Sequence, residues 1–322
     1  MEERAQRIVE QLQREPEKQR CADFLAGLPE LQRQEILNTL AYDRLRYKME
    51  LVESLYRDAE SDWNQTFYLL YFRTLGDTSN RQAYLTLAER VPYRVLLHER
   101  SRRNAVEALL LGTSGLLTLY EPDAYVRELL AEFGRCRVKY QIEPMEASEW
   151  KLSNIRPANH PLLRIVQAAR FFARDEYVIH DVLKCRTPKE VQTLFGVEAT
   201  DYWSRHYTPG AEHDRHPKRI GKFKSDMFAI NLVAILLLAY ANRNGKEEVR
   251  EQGMQLYHAT GPEDNRIIRG WCNAGVPAPA DAFESQALLQ LRRAYCETGR
   301  CAACPVGRRI VDRVLRAEER QL

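Results

Sequence analysis

The sequence predicts an all-α protein, an irregular globular domain of many helices with at most one short β-hairpin. Three observations support this fold class. Apolar residues recur at helical spacing along most of the 322-residue chain, and capping or breaking residues bound these stretches. The composition, 44% hydrophobic and 29% charged, is that of a globular protein. The C-terminal region adds a predicted helix–Cys turn–helix. Residues 1–29 are predicted to be a helical extension and 30–322 a single large domain, with a sub-boundary near 141–160.

The first part of the chain is predicted to be a series of helices. A charged helical region covers residues 3–60, and an aromatic-rich helix follows over residues 63–75, where Gly76 ends it. We expect the aromatic face of this second helix to lie in the core; a stacking platform for nucleic-acid bases is the alternative. Three further helices are predicted at residues 80–89, 105–111 and 123–133.

Residues 134–161 are predicted to be irregular, with a short strand over residues 138–142. Asn159 or His160 can then cap a helix whose first residue is Pro161. One interpretation is an ordinary capped helix with exposed arginines. The other gathers four polar side chains around an anion at the helix N-terminus. The residues of that anion site would be Arg156, Asn159, His160 and Arg164.

A polar loop is predicted over residues 203–220, ahead of a buried helix. Three histidines lie in this loop, but their spacing matches no closed metal site, so we expect a solvated loop. Four basic residues at its end are further candidates for binding an anion or nucleic acid: Lys218, Arg219, Lys222 and Lys224. The apolar run over 227–241 is too short to span a bilayer, which predicts a core helix and no membrane partner.

The C-terminal region predicts two helices joined by a tight turn. Asp281 caps the first helix, Gly299 supplies the turn, and Pro305 begins the second helix with Cys304 at its N-cap. Three cysteines are spaced C-x4-C-x2-C across this turn, at positions 296, 301 and 304. A C-x2-C loop lets two sulfur atoms converge on one metal ion, and a thiol at a helix N-terminus ionises more easily.

This spacing leads to a zinc hypothesis with ligands Cys296, Cys301, Cys304 and His258. Zinc needs a fourth ligand, and His258 is preferred because an antiparallel helix pair would bring it near Cys296. Cys272 is the alternative by residue type, although it would lie at the far end of the pair. Buried reduced thiols and a redox pair are the competing interpretations.

Charge is distributed unevenly along the chain. The formal net charge is only +3, yet residues 151–224 carry +6 and the first 150 residues carry −4. An ordinary solvated surface and a phosphate-facing surface both fit this distribution. The charged N-terminus does not resemble a signal peptide, and seven cysteines, an odd number, suggest a reducing compartment. We therefore expect a cytoplasmic protein.

Several short stretches together resemble a known family. They are Asp43-Arg44-Leu45 with Lys48, residues 107–112, Trp150 with residues 156–161 and Arg164, Tyr202-Trp203 with His206-Tyr207, Glu263 with Asn265, residues 285–288, and Tyr295-Cys296 with Cys301 and Cys304. The chain resembles, from about residue 20 to 318, the bacterial family known as domain of unknown function 2851. The resemblance assigns no activity. It implies that longer members carry an N-terminal β-rich region, which is one candidate partner.

The sequence favours binding over catalysis. The leading hypothesis is a metal-stapled helical module that binds nucleic acid or another polyanion through its basic C-terminal half. The basic residues of that half also include Arg292, Arg293, Arg300, Arg308 and Arg309. A protein-interaction or structural subunit is the second hypothesis. An enzyme that uses Arg156, Asn159, His160 and Arg164 is the third. Phosphate-cradling, zinc-protease and serine-hydrolase motifs do not occur in the sequence.

Overall fold

Helices form most of the chain in the computed structural model, which describes residues 2–14, 19–76, 79–174 and 178–320. These residues contain no strand, and their β-type pairing consists of two isolated antiparallel bridges, Glu198 with Arg219 and His206 with Glu212. The all-α prediction is confirmed. The short β-hairpin that the sequence allowed is not formed in the described residues.

The chain divides into two compact units, and the first unit combines both ends of the chain. It comprises Met1–Glu50 and Tyr257–Leu322, whereas the second comprises Leu51–Leu256. The domain boundaries predicted from the sequence stay a prediction. The α-helices are, in chain order, α1 (Glu2–Arg14), α2 (Gln19–Ala26), α3 (Glu30–Asp58), α4 (Trp63–Leu75), α5 (Arg81–Arg90), α6 (Tyr93–Glu99), α7 (Ala105–Thr113), α8 (Ala124–Tyr140), α9 (Pro161–Phe172), α10 (Val178–Lys184), α11 (Pro188–Phe195), α12 (Asp201–Arg205), α13 (Lys222–Phe228), α14 (Ala234–Asn244), α15 (Glu247–Ala259), α16 (Arg266–Asn273), α17 (Ala282–Gln290) and α18 (Pro305–Glu319).

Local signals set most of these boundaries. Helix α4 has the predicted bounds, with Asp62 accepting a hydrogen bond from the Asn64 N–H and Gly76 ending the helix. Asp281 likewise caps α17 by accepting from the Glu284 N–H. Such caps satisfy backbone donors that have no partner within the helix, so a sequence can specify them locally.

Helix α8 corrects one sequence prediction. The strand predicted over 138–142 is wrong, because α8 continues to Tyr140 and Gln141 ends it in the left-handed conformation, with φ of 54°. A short run of alternating apolar residues cannot distinguish a strand from a helix end. Helical spacing decides here, since it places Leu129, Phe133 and Cys136 in the core and leaves Val138 80% exposed.

Aromatic side chains form the centre of the second unit. The Tyr71 ring stacks on Phe171 at 5.4 Å and 4°, and Phe67 and Phe195 also pack close to this pair. The four aromatic side chains of α4 at positions 67, 68, 71 and 72 are each at most 1% exposed. The predicted core role of α4 is therefore confirmed, and its faces are not open to bases.

A continuous helical segment runs through the second unit from α13 through a π-helical stretch, Ala229–Val233, to α14. It is long and apolar enough, by length and composition, to cross a membrane, but 67% of its most apolar window is buried in the protein. The prediction that the run is too short to span a bilayer is therefore wrong, because the helix extends beyond residues 227–241 at both ends. Its burial is that expected of a core helix, as the sequence predicts.

A buried amide connects helices within the first unit. Gln286 is fully buried, and its Oε1 accepts from Arg44 Nε at 2.7 Å and from Lys48 Nζ at 2.6 Å. Its Nε2 donates to Glu263 Oε1 at 2.6 Å. All four residues belong to the stretches that carry the family resemblance, so these separate stretches meet at one polar cluster.

The predicted helix–Cys turn–helix is formed. Helix α17 continues through a π-helical stretch, Leu291–Cys296, and Gly299 turns the chain with φ of 66° before Pro305 begins α18. Gly307 lies against the turn, where a Cβ atom would be 2.2 Å from the Cys301 carbonyl oxygen. A glycine is therefore needed for the first turn of α18 to approach the cysteine loop.

Candidate anion-binding site

The start of α9 positions one side of the candidate site. His160 is the N-cap, and its Nδ1 accepts from the Leu162 N–H at 3.3 Å, while Pro161 occupies the first helical position. A short 3₁₀ turn before it, Pro157–Asn159, brings Asn159 back toward the helix. The sequence prediction of a capped helix at Pro161 is confirmed.

Arg164 projects from the first turn of α9 into the protein and is only 9% exposed. Its Nη2 donates to Asn159 Oδ1 at 2.7 Å and its Nη1 to Gln167 Oε1 at 2.9 Å. Both partners are neutral amides, and no described carboxylate forms an ion pair with it. Burial lowers the pKa of Arg164 from its usual value. A buried cation of this kind has unmet demand for an anion.

The loop after α12 positions the opposite side. Lys218 is 6% exposed, and its Nζ donates to the His206 carbonyl oxygen at 2.5 Å and lies 2.7 Å from His213 Nε2. The ammonium also lies 3.6 Å from the centre of the Tyr207 ring. Burial lowers the pKa of Lys218 to about 8. The expectation of a solvated loop is therefore wrong for Lys218, although most of its neighbours are exposed.

Gln167 connects the two sides. Its Oε1 accepts from Arg164, and its Nε2 donates to the Lys218 carbonyl oxygen at 3.2 Å. The space between α9 and this loop is a cavity of about 410 Å³, which we call the basic cavity. The residues that line it are Arg156, Ala158, Asn159, Leu163, Arg164, Gln167, Tyr207, His216, Pro217, Lys218, Arg219, Gly221, Phe223 and Lys224.

The lining of the basic cavity contains five Lys or Arg side chains and one histidine, and none of the described lining residues is Asp or Glu. Some of these cations have partners outside it: Arg219 Nε donates to Glu198 at 2.7 Å, and Lys224 Nζ donates to the carbonyl oxygens of Thr74 and Leu75. The cavity wall is thus positively charged, which favours an anionic ligand.

The structure brings together most of the predicted anion-binding residues. Two sequence segments, each predicted separately, line the same cavity through Arg156, Asn159, Arg164, Lys218, Arg219 and Lys224. His160 does not line it, because its ring caps α9. Lys222 does not line it either, and its Nζ donates to Asp226 at 2.6 Å. The sequence analysis missed two lining residues, Gln167 and Phe223. Gln167 could have been found from its helical spacing, three residues after Arg164. Phe223 could have been found from the lysines on either side of it.

A second cavity of about 330 Å³ lies at the start of α7 and was not expected from the sequence. Four arginines line it, at positions 100, 102, 103 and 170, together with the buried Glu107. Glu107 Oε1 accepts from Trp203 Nε1 and from the Tyr125 hydroxyl, each at 2.6 Å. Burial raises the pKa of Glu107, although these hydrogen bonds oppose the shift. This cavity contains its own carboxylate, and Arg102 pairs with Glu132 at 3.0 Å.

No three ligand atoms of the predicted zinc set lie within 4.8 Å of one another in the described part of the chain. Cys301 and Cys304 are buried and Cys296 is half-buried. His258 Nδ1 lies 2.7 Å from Asp281 Oδ2, and its ring packs on Phe283. Burial raises the pKa of the Cys304 thiol, outweighing the backbone N–H groups at the start of α18. The expectation of an easily ionised thiol is therefore wrong for Cys304. Zinc binding stays a prediction.

Elsewhere in the described part of the chain, three side chains lie close enough together to ligate one metal ion. Ligand atoms of Glu99, Glu132 and Cys136 lie within 4.8 Å of one another. Cations already compensate these carboxylates: Glu99 accepts from Arg135, and from Lys139 at 2.7 Å. Burial alone would raise the pKa of Glu99, but these hydrogen bonds and that of Tyr140 lower it to about 2. The group is an ion-pair cluster within the second unit.

The fold and this site define an all-α protein whose second unit contains the basic cavity. None of the described residues that line this cavity is Asp or Glu. The chain belongs to the family described as protein of unknown function DUF2851, whose family model matches residues 1–266. The resemblance drawn from the sequence is thereby confirmed. The match includes the basic cavity but ends before the cysteine turn. Comparison with curated proteins and with solved structures gave no match.

Proposed function

We propose that this protein binds single-stranded nucleic acid, with backbone phosphates entering the basic cavity. The observation that carries the proposal is the pair of buried cations, Arg164 and Lys218, whose described partners are all neutral groups. Burial of an unpaired cation is unfavourable, and a bound phosphate would compensate it through charge-assisted hydrogen bonds.

Phe223 supports a nucleic-acid strand as the ligand. It lines the cavity, yet its side chain is 66% exposed, which is unusual for a large aromatic residue. Lysines flank it at positions 222 and 224. An exposed aromatic ring beside cations fits a single strand, whose bases stack on the ring while the phosphates contact the basic side chains. Each stacked base contributes about 1–3 kcal/mol to binding of this type.

The proposal concerns the second unit only. The C-terminal arginines that the sequence analysis grouped with this basic region lie in the first unit. The cysteine turn also belongs to the first unit, so the proposal does not invoke the predicted zinc. A protein-interaction subunit and a cytoplasmic location stay predictions from the sequence.

Fluorescence anisotropy with labelled single-stranded DNA and RNA tests the proposal. We expect the affinity to fall as salt rises, with a slope of about 0.7 for each phosphate contacted. Arg164→Gln and Phe223→Ala should each weaken binding by about 10-fold, on the scale of one lost phosphate contact or one lost stacking contact. Lys246→Gln removes the same charge at an exposed site of the second unit and should leave affinity unchanged.

Two results would contradict the proposal. Binding that does not respond to salt would exclude phosphate contacts as its source. Tighter binding of a duplex than of the single strand, with Phe223→Ala unaffected, would exclude base stacking on this ring. A mononucleotide that competes as well as a strand would instead identify a small phosphorylated ligand.

A further inference from the structure

Lys218, which lines the basic cavity, forms a hydrogen-bonded pair with His213, which lies behind it and does not line the cavity. Lys218 Nζ lies 2.7 Å from His213 Nε2, and the other ring nitrogen, Nδ1, lies 2.5 Å from the Asp214 carbonyl oxygen. A carbonyl oxygen only accepts hydrogen bonds, so Nδ1 carries the ring proton in the neutral imidazole. Nε2 therefore directs its lone pair at the lysine amine and can accept a proton from it.

The surroundings of the amine favour its neutral form. Its other contacts are the His206 carbonyl oxygen and the face of the Tyr207 ring, and no described carboxylate lies within ion-pair distance. Burial lowers the pKa of Lys218 to about 8, so a useful fraction of the amine is unprotonated near neutral pH. The charged and titratable groups that line the cavity with it are Arg156, Arg164, His216, Arg219 and Lys224.

We infer that Lys218 is a nucleophile that forms an imine with the aldehyde of a phosphate-bearing sugar, and that His213 is the base that deprotonates it. The inference rests on the proposed function, because the surrounding cations would hold the phosphate while the aldehyde meets the amine. A desolvated lysine near other cations is a recognised way to prepare an amine for this reaction. The role goes beyond binding, because it places a covalent step at the cavity.

The reaction balances without any further reagent. The Lys218 ammonium gives one proton to His213 Nε2, and the amine lone pair forms a C–N bond as the carbonyl π bond opens to oxygen. A proton moves from nitrogen to that oxygen, giving a carbinolamine. The imidazolium then returns its proton to the hydroxyl, which leaves as water, and the product is a protonated imine. His213 ends neutral, as it began.

Two sources can supply such an aldehyde. The carbonyl groups of nucleobases are amide-like and do not form imines, and the sugar of an intact nucleotide has no free carbonyl. An abasic nucleotide within a strand does open to an aldehyde that lies between two phosphates. A free aldose phosphate offers the same group. The shared chemistry is an aldehyde on a sugar that also carries a phosphate ester, and the experiment separates the sources.

Borohydride trapping of the full-length chain tests the inference. The protein is mixed with sodium cyanoborohydride and either an oligonucleotide that contains one abasic site or ribose 5-phosphate. Intact-mass and peptide mass spectrometry then locate the reduced adduct. We expect one adduct per chain, on Lys218, with either or both probes, and a yield at least 10-fold lower in Lys218→Arg. The control Lys246→Arg, at an exposed site, should give the wild-type yield.

The dependence on pH tests His213 separately. His213→Gln keeps a hydrogen-bonding side chain but removes the base, so trapping should slow by about 100-fold at neutral pH, the lower end of the usual range for general-base catalysis. Raising the pH above the pKa of Lys218 should narrow the difference from the wild type, because hydroxide then deprotonates the amine in place of His213. A merely structural role for His213 would give a loss that alkaline pH does not repair.

The outcomes separate this inference from the proposed function. An adduct on Lys218 with the abasic strand alone, or with ribose 5-phosphate alone, supports the inference and identifies the source. Salt-dependent strand binding without an adduct on Lys218 overturns the imine role and leaves the binding role intact. Equal adducts on several exposed lysines also overturn it. Circular dichroism of each variant checks its fold, and the wild-type adduct map does not depend on any variant.

Discussion

Asn159 Oδ1 accepts a 2.7 Å hydrogen bond from Nη2 of the buried Arg164, so a neutral amide stands where buried arginines usually have a carboxylate. The second partner, Gln167, is also an amide. The guanidinium is therefore oriented by its neighbours without being neutralised. This arrangement keeps its charge available to a ligand, and it can be tested by supplying the missing carboxylate.

Asn159→Asp should weaken nucleic-acid binding by about 10-fold, because the new carboxylate would pair with Arg164 and repel phosphate. The same change should leave the free energy of unfolding unchanged or raise it, since a partly buried cation gains a counter-ion. Anisotropy titration and urea unfolding measure the two effects. Loss of binding together with loss of stability would point to misfolding instead.

The matched control is Asn242→Asp, which introduces the same charge at an exposed position of α14. About 20 helical residues separate it from Lys222 and the cavity, or roughly 30 Å along the helix axis. At that distance the added charge is largely screened at physiological salt. Its affinity should therefore match the wild type.

Glu107 gives a prediction for the pH dependence of stability. Burial raises the pKa of Glu107, so its folded-state pKa lies above its unfolded value. The stability contribution of this group is fully present below the unfolded pKa and is lost as pH rises through the folded pKa. Glu107→Gln should thus become more stable relative to wild type as pH rises across that window.

Urea unfolding of both proteins from about pH 4 to pH 8 measures this difference, with the window set by the ordinary glutamate pKa of about 4.3 and the upward shift. Trp203→Phe is the companion variant, because it removes the 2.6 Å donor to Glu107 Oε1. Trp203→Phe should lower the free energy of unfolding by about 1–3 kcal/mol, the penalty for an unsatisfied buried group. A pH-independent difference for Glu107→Gln would show that this carboxyl titrates normally.

Gly112 lets α7 and α8 approach each other. A Cβ at this position would lie 2.2 Å from the Phe133 ring, so Gly112→Ala should destabilise the protein by about 1–3 kcal/mol through overpacking. Gly134→Ala is the matched control: that glycine lies within α8 with nothing within 4 Å of its added Cβ. It should stabilise the helix by about 0.5–1 kcal/mol. Thermal unfolding compares the two, and equal effects would contradict the close approach.

Elemental analysis tests the zinc hypothesis. No three ligand atoms of Cys296, Cys301, Cys304 and His258 lie within 4.8 Å of one another, so the predicted site requires these side chains to move. Metal-free protein whose unfolding temperature EDTA does not change would contradict the zinc prediction. Cys304→Ala should still cost about 1–2 kcal/mol, since it leaves a small cavity around a buried side chain. Finding one zinc per chain in the wild type and none in Cys301→Ser would confirm the zinc hypothesis.

Local chemistry made part of the site predictable. The cap, the start of α9 at Pro161 and the arginine one turn later depend on neighbouring residues. The sequence identified the helix start and the arginine, and it left the cap open between Asn159 and His160, of which the structure shows His160. The strand predicted over residues 138–142 failed because five residues of alternating polarity did not reveal that the core contacts of α8 continue to Cys136. The zinc set stays a prediction, because spacing alone does not fix how neighbouring helices orient their side chains.

The sequence by itself determined the all-α class, the capped helix starts, the cysteine turn and membership of the DUF2851 family. The structural features among these depend on interactions between residues a few positions apart, where helical periodicity and capping operate. Family membership follows from the short stretches that the chain shares with the family. Only the tertiary structure decided that the two basic segments share one cavity, that Gln167 spans 51 residues to reach the Lys218 carbonyl, and that His213 faces the lysine amine. Those relationships depend on the packing of α9 against a distant loop, and packing is set by the whole core of the second unit, not by any one stretch of sequence.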